Sequence, residues 1–236
     1  MNIACPDFIS AIDPEMCHAV DHYCERTSAA FDAEPVNAIT NGAFLIASWG
    51  GWRLLSQHPD LPGSVLTKTL IFITALVGVG SFVFHTVGTR WAEWLDVLPI
   101  LLFMLIYLWL VLTRFMGWSS LGTGLAVLSF FLTTFAIEAL VPGTVLWGGA
   151  MYLPAITALV ILTVAFHARV GTPAGNAFAT ATGIFLLSFA ARSLDSLVCD
   201  MWPTGTHFLW HLLNALLLFV LIRVVIVHGP NGRATT

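Results

Sequence analysis

The chain has 236 residues, of which 58% are hydrophobic and 9% charged, with a mean hydropathy of +0.87. Soluble globular domains carry roughly 25% charged residues, so this composition excludes one and indicates a polytopic membrane protein. The net charge of -4, with only nine Lys plus Arg and those scattered, excludes a nucleic-acid-binding surface.

Residues 1–33 contain one basic residue, Arg26, and no long apolar run, so no signal peptide is visible. Residues 1–35 are expected to form an extracytoplasmic N-terminal segment. Seven apolar stretches follow, at 36–56, 66–88, 93–113, 119–140, 146–168, 175–197 and 207–228. Each is long enough to cross about 30 Å of hydrocarbon at about 1.5 Å per residue. Turn signals separate them, among them His58-Pro59-Asp60-Leu61-Pro62-Gly63, Pro142-Gly143 and Trp202-Pro203-Thr204-Gly205. Connections this short make consecutive helices antiparallel neighbours. The predicted fold class is all-α, a seven-transmembrane-helix bundle over 36–228 with a cytoplasmic tail at 229–236.

Basic residues set the orientation. With the N-terminus outside and the C-terminus cytoplasmic, Arg53, Lys68, Arg114, Arg169, Arg223 and Arg233 lie inside, against Arg26, Arg90 and Arg192 outside. All four cysteines, Cys5, Cys17, Cys24 and Cys199, then fall on the outer, oxidising side. An even count there points to two disulfides, although four cysteines allow three connectivities. Cys24 with Cys199 is the favoured pair, because it would pin the N-terminal segment over the mouth of the bundle, leaving Cys5 with Cys17; free thiols are the competing expectation.

The same topology gathers chemistry at one depth. Ser81 and His85 lie at the outer end of the second stretch, Asp96 in the first turn of the third, and His207 and His211 at the start of the seventh. Residues four apart on a helix differ by about 40° around its axis, so His207 and His211 can hold one ion together and Ser81 shares a face with His85. Three histidines with one open position suit a catalytic zinc, and ionisable groups at membrane depth are costly enough to mark function. Phe82, Phe84, Trp94, Phe208 and Trp210 flank these residues and could line a cavity. Arg192 and Asp195, three apart, are expected to form an intrahelical pair.

Taken together, Ser81-x3-His85, Asp96 and His207-x3-His211 resemble the membrane zinc hydrolase superfamily that includes the alkaline ceramidases and the adiponectin and progestin receptors. Cys24-Glu25, Glu34-x2-Asn37-x3-Asn41, Gly80-Ser81-x3-His85 and His207-x2-Trp210-His211 make the chain most similar to the alkaline ceramidases. The resemblance implies an amide hydrolase that cleaves ceramide-like N-acyl sphingoid lipids, with a Zn2+ ion held by His85, His207 and His211. Zinc would activate water near neutral pH and polarise the scissile carbonyl. Asp96 would accept the proton of that water and pass it to the leaving amine, while Ser81 would donate to the developing oxyanion.

The resemblance further implies a Ca2+ ion beside the zinc, with Asp21, Glu25 and Glu34 as the corresponding carboxylates. The pattern departs from the family here, because an extra residue separates Asp21 from Cys24 and Thr27 stands where an asparagine ligand is expected. The implied partners are the lipid bilayer and a ceramide-like lipid substrate. Competing readings are a receptor of the same superfamily with a structural zinc, a haem-binding membrane protein, and a transporter, the last without inverted repeats to support it. Short tails without a sorting signal lean towards a bacterial inner membrane with the site facing the periplasm; the alternative is an ER or Golgi membrane with the site lumenal.

Overall fold

The computed structural model describes residues 5–61 and 64–229, so all of the predicted tail at 229–236 except Gly229 lies outside the described residues. Its helices are α1 (Asp7–Ile12), α2 (Pro35–Thr40), α3 (Gly42–Ser56), α4 (Ser64–Val87), α5 (Arg90–Arg114), α6 (Ser120–Leu140), α7 (Leu153–Arg169), α8 (Thr172–Val198) and α9 (His207–Val227). There is no strand among the described residues. Six helical stretches are long and apolar enough to cross a membrane: Ser64–Val87, Arg90–Arg114, Ser120–Leu140, Ala150–Arg169, Thr172–Val198 and His207–Val227.

The first predicted stretch, 36–56, is helical but divided at Asn41, which leaves α3 with 15 residues. The side chains explain the break. Asn41 Nδ2 donates to the carbonyl of Asn37 at 2.9 Å, taking the acceptor that its own backbone N–H would use in a regular α-helix, and that N–H turns to Ala38 instead. The fifth stretch also begins differently from the sequence reading. Val145–Gly148 and Ala150–Tyr152 are 3-10 turns, and the α-helix starts only at Leu153, with Pro154 in its first turn. The backbone reverses through Leu146 and Trp147, both at positive φ, ahead of Gly148 and Gly149.

The centre of the bundle is built from α4 and α9, each with 61% of its apolar window buried, against 11% for α6 at the edge. Phe103, Phe166 and Phe178 fill the interior together with Leu70, Ile222 and Ile226. Apolar side chains such as Phe72, Leu121, Phe135 and Val164 face outward, as lipid contact requires and water would not favour.

Helices α4 and α5 meet most closely at Gly80. A Cβ there would lie 2.0 Å from the Leu95 carbonyl oxygen, so no larger residue fits. That carbonyl is free of its usual helical partner because residue 99 is a proline without an N–H. The crossing sets Ser81 of α4 against Asp96 of α5. Disulfides join Cys5 to Cys17 and Cys24 to Cys199. The N-terminal segment also docks on the α4–α5 turn: Val20 N donates to Gly88 O at 2.9 Å and Arg90 N to His18 O at 3.2 Å.

Candidate metal centre

Three imidazoles converge at one end of the bundle. His85 closes α4, while His207 and His211 occupy the first two turns of α9, and all three are at most 2% exposed. Ring centroids stand 5.2 Å apart for His85 and His207, 4.7 Å for His85 and His211, and 4.6 Å for His207 and His211. One nitrogen from each ring lies within 4.8 Å of the others, and this is the one group of three or more potential metal ligands among the described residues.

The hydrogen bonds around the rings decide which nitrogens are free. His85 Nδ1 is 2.6 Å from Glu34 Oε2. A carboxylate only accepts, so Nδ1 carries the hydrogen and Nε2 keeps its lone pair. Thr40 Oγ1 gives its hydrogen to a backbone carbonyl, Val36 O at 2.8 Å or Asn37 O at 3.0 Å, and therefore accepts from His211 Nδ1 at 3.0 Å. That again leaves Nε2 free. His85 Nε2, His211 Nε2 and His207 Nδ1 are all buried without a hydrogen-bond partner. Buried polar atoms are rarely orphaned, and three of them on neighbouring rings fit a cation that binds nitrogen. The outer nitrogens of His85 and His211 are held by a carboxylate and a hydroxyl, as second partners hold metal-ligating histidines. The donor set therefore fits zinc.

Glu34 is nearly fully buried. Burial pushes its carboxyl up, but the hydrogen bond and charge of His85, the Asn37 amide and the Arg26 guanidinium together hold it below the ordinary value. Tyr23 stacks on His207 with ring centroids 3.5 Å apart and lies 5.5 Å from His85. Burial pushes its phenol up, with the charge of Arg192 opposing, so it remains a hydrogen-bond donor. No motif marks Tyr23 in the sequence. The available signal is its neighbour Cys24: a bond to Cys199 brings the adjoining ring over the start of α9.

Asp96 and Ser81 interact through their side chains, and both line an apolar cavity that reaches His211 and runs inward past Phe103, Tyr152 and Trp210. Of the flanking aromatics, Trp210 lines this cavity and Phe84 is buried elsewhere, while Phe82 and Trp94 are exposed.

The expected intrahelical pair of Arg192 and Asp195 is replaced by longer-range partners. Asp195 accepts from the backbone N–H groups of Cys24 at 2.9 Å, Thr206 at 2.6 Å and His207 at 2.8 Å. The open N-terminus of α9, whose Thr206 side chain offers no cap, supplies fixed donors and a positive dipole end that suit a carboxylate. Arg192 instead lies over the rings of Tyr152 and Trp210, at 5.5 and 6.0 Å. Asp195 thus holds His207 in place. Asp195→Ala is expected to destabilise the fold by roughly 3 kcal/mol, since a hydrogen bond to a charged group contributes about 1.5–3 kcal/mol. The check is a lowered thermal midpoint together with weakened metal retention.

The three carboxylates expected to hold calcium are not brought together. Glu25 accepts from the backbone N–H groups of Val36 at 2.7 Å and Asn37 at 2.8 Å, capping α2. Glu34 turns to Arg26, His85 and Asn37, and Asp21 is exposed.

A protein-family model described as Ceramidase matches residues 19–230, most of the chain. No curated protein matches it.

Proposed function

The chain belongs to the ceramidase family, and from that premise we propose a membrane-embedded, zinc-dependent amide hydrolase that cleaves ceramide-like N-acyl sphingoid lipids into a fatty acid and a sphingoid base. The observation that carries the zinc reading is a trio of buried imidazoles that bring one nitrogen each within 4.8 Å of the others and that each carry a nitrogen without a hydrogen-bond partner. His85, His207 and His211 would hold the ion. Zinc, when bound, supplies a Lewis acid that activates water and polarises an amide carbonyl.

The chain's own groups do the rest. Asp96, on the cavity wall beside Ser81 and His211, orients the attacking water, accepts its proton and delivers it to the departing amine. Ser81 donates its hydroxyl to Asp96 or to the oxygen on which charge develops. The apolar cavity, lined by Phe103, Tyr152 and Trp210, receives a hydrocarbon chain and excludes water from the amide. Glu34 and Thr40 fix the faces of His85 and His211, and Asp195 fixes the start of α9.

We also propose seven spans with the N-terminus outside. Taken as one course from 35 to 56, α2 and α3 extend about 33 Å at 1.5 Å per residue, close to a bilayer's hydrocarbon thickness. Two disulfides at the metal end of the bundle support an oxidising compartment on that side, which is the side the distribution of Arg and Lys assigns as outer. A bacterial inner membrane with the site facing the periplasm fits this arrangement.

The test is metal analysis of the detergent-purified chain beside hydrolysis of a panel of N-acyl lipids. A single zinc ion per chain and release of fatty acid from N-acyl sphingoid lipids, lost on chelation and restored by zinc, are the expected results. A zinc-loaded chain that hydrolyses none of the panel would overturn the reading.

A further inference from the structure

We infer that Arg26 is a built-in cation against Glu34, one of the carboxylates that the family resemblance implies for calcium, so that the chain positions Glu34 and, through it, His85 without a second metal ion. The inference rests on the zinc reading proposed for the three histidines.

Calcium needs six to eight oxygen ligands drawn around one point. The oxygens available here are already engaged. One carboxylate oxygen of Glu34 takes the Nε–H of Arg26 in a short, buried ion pair, and the other takes His85 Nδ1 at 2.6 Å and Asn37 Nδ2 at 3.0 Å. Both oxygens of Glu25 serve the N-terminus of α2, and Asp21 is exposed and belongs to no cluster of three His, Cys, Asp or Glu side chains among the described residues. The residues present do not fit calcium.

They fit a guanidinium instead. Arg26 is 6% exposed. Besides Glu34, it donates from Nη2 to the backbone carbonyl of His85 at 2.9 Å and from Nη1 to that of Ser28 at 3.4 Å. Its plane lies against Gly88, where a Cβ would stand 2.6 Å from Cζ and where φ is +62°. Only glycine satisfies both the backbone angle and the space. A guanidinium is a cation with five N–H donors and no acceptor, and a divalent ion brought into the same space would meet its charge. The planar fork reaches the carboxylate and the backbone of a metal-ligating histidine together, which a compact lysine ammonium would not. Arg26 is thus a positioning residue: it holds Glu34, and Glu34 holds the Nδ1–H of His85.

The experiment uses the full chain in detergent micelles, with zinc affinity read by chelator competition and stability by thermal melting, each with added calcium or in calcium-free buffer. For the wild type, adding or withholding calcium is expected to move neither the melting midpoint nor the zinc affinity. Arg26→Ala is expected to weaken zinc binding by about 10–100-fold, the effect of losing support behind a metal-ligating histidine, with Arg26→Lys recovering only part of it. Calcium binding by a zinc-loaded wild type, or zinc affinity unchanged in Arg26→Ala, would overturn the inference alone. A wild type that binds no zinc would overturn both this inference and the zinc reading. Should Arg26→Ala fail to fold, the response of the wild type to calcium decides.

Discussion

His211→Ala is expected to lose zinc and lipid-amide turnover together, with activity falling more than about 100-fold. That figure is a lower bound, because removing even an outer-shell partner of a metal ligand costs about 10–100-fold, and here the ligand itself goes. Two effects must be told apart. Truncating a buried ring leaves a cavity and deprives the Thr40 hydroxyl of its 3.0 Å partner, so some fold stability is lost whatever the ring binds. Stability loss lowers the amount of folded protein but leaves the zinc content of each folded chain unchanged. Zinc added to the wild type should raise its melting midpoint by mass action, and His211→Ala should lose that response. His167→Ala serves as the control. That ring, on α7, pairs with Asn176 at 3.1 Å at the opposite end of the bundle and should leave zinc binding untouched. Zinc retained at full stoichiometry in His211→Ala, with full turnover, would overturn the assignment of the site.

The parts of this arrangement that were legible in the sequence are those that local spacing and hydropathy encode. Six apolar runs form long helices because each buries or faces hydrocarbon along its whole length. The histidines converge because the alternation of short turns puts the end of α4 and the start of α9 at one level. Where the sequence misled, a long-range partner displaced a local one. Arg192 and Asp195 have the spacing of a helical pair, yet the unfilled N–H groups at 206 and 207 draw the carboxylate away. The family resemblance implied a calcium site at Asp21, Glu25 and Glu34. Arg26, lying between two of those acids in the chain, neutralises the one that matters. The division at Asn41 was equally invisible to hydropathy, since it depends on one amide reaching back to the carbonyl of residue 37.

Asp96→Asn separates the chemistry from the metal. The substitution keeps the size and shape of the side chain and its place against Ser81, but an amide cannot take a proton. Asp96 stands outside the group of histidines whose nitrogens lie within 4.8 Å of one another, so zinc binding should persist at wild-type affinity. Turnover should fall by about 10²–10⁴-fold, the usual contribution of a positioned general acid–base, with little change in KM because the apolar cavity that receives the hydrocarbon is intact. A variant that loses zinc along with turnover would make Asp96 a fourth ligand instead, and one with undiminished turnover would remove it from the mechanism. Ser81 then becomes interpretable. If its hydroxyl acts by orienting the Asp96 carboxylate, Ser81→Ala costs activity in the wild type and nothing further in Asp96→Asn; if it donates to the oxyanion, its cost persists in both. Groups that act through one another are non-additive and independent ones are additive, so the double-mutant comparison assigns the hydroxyl to one role or the other.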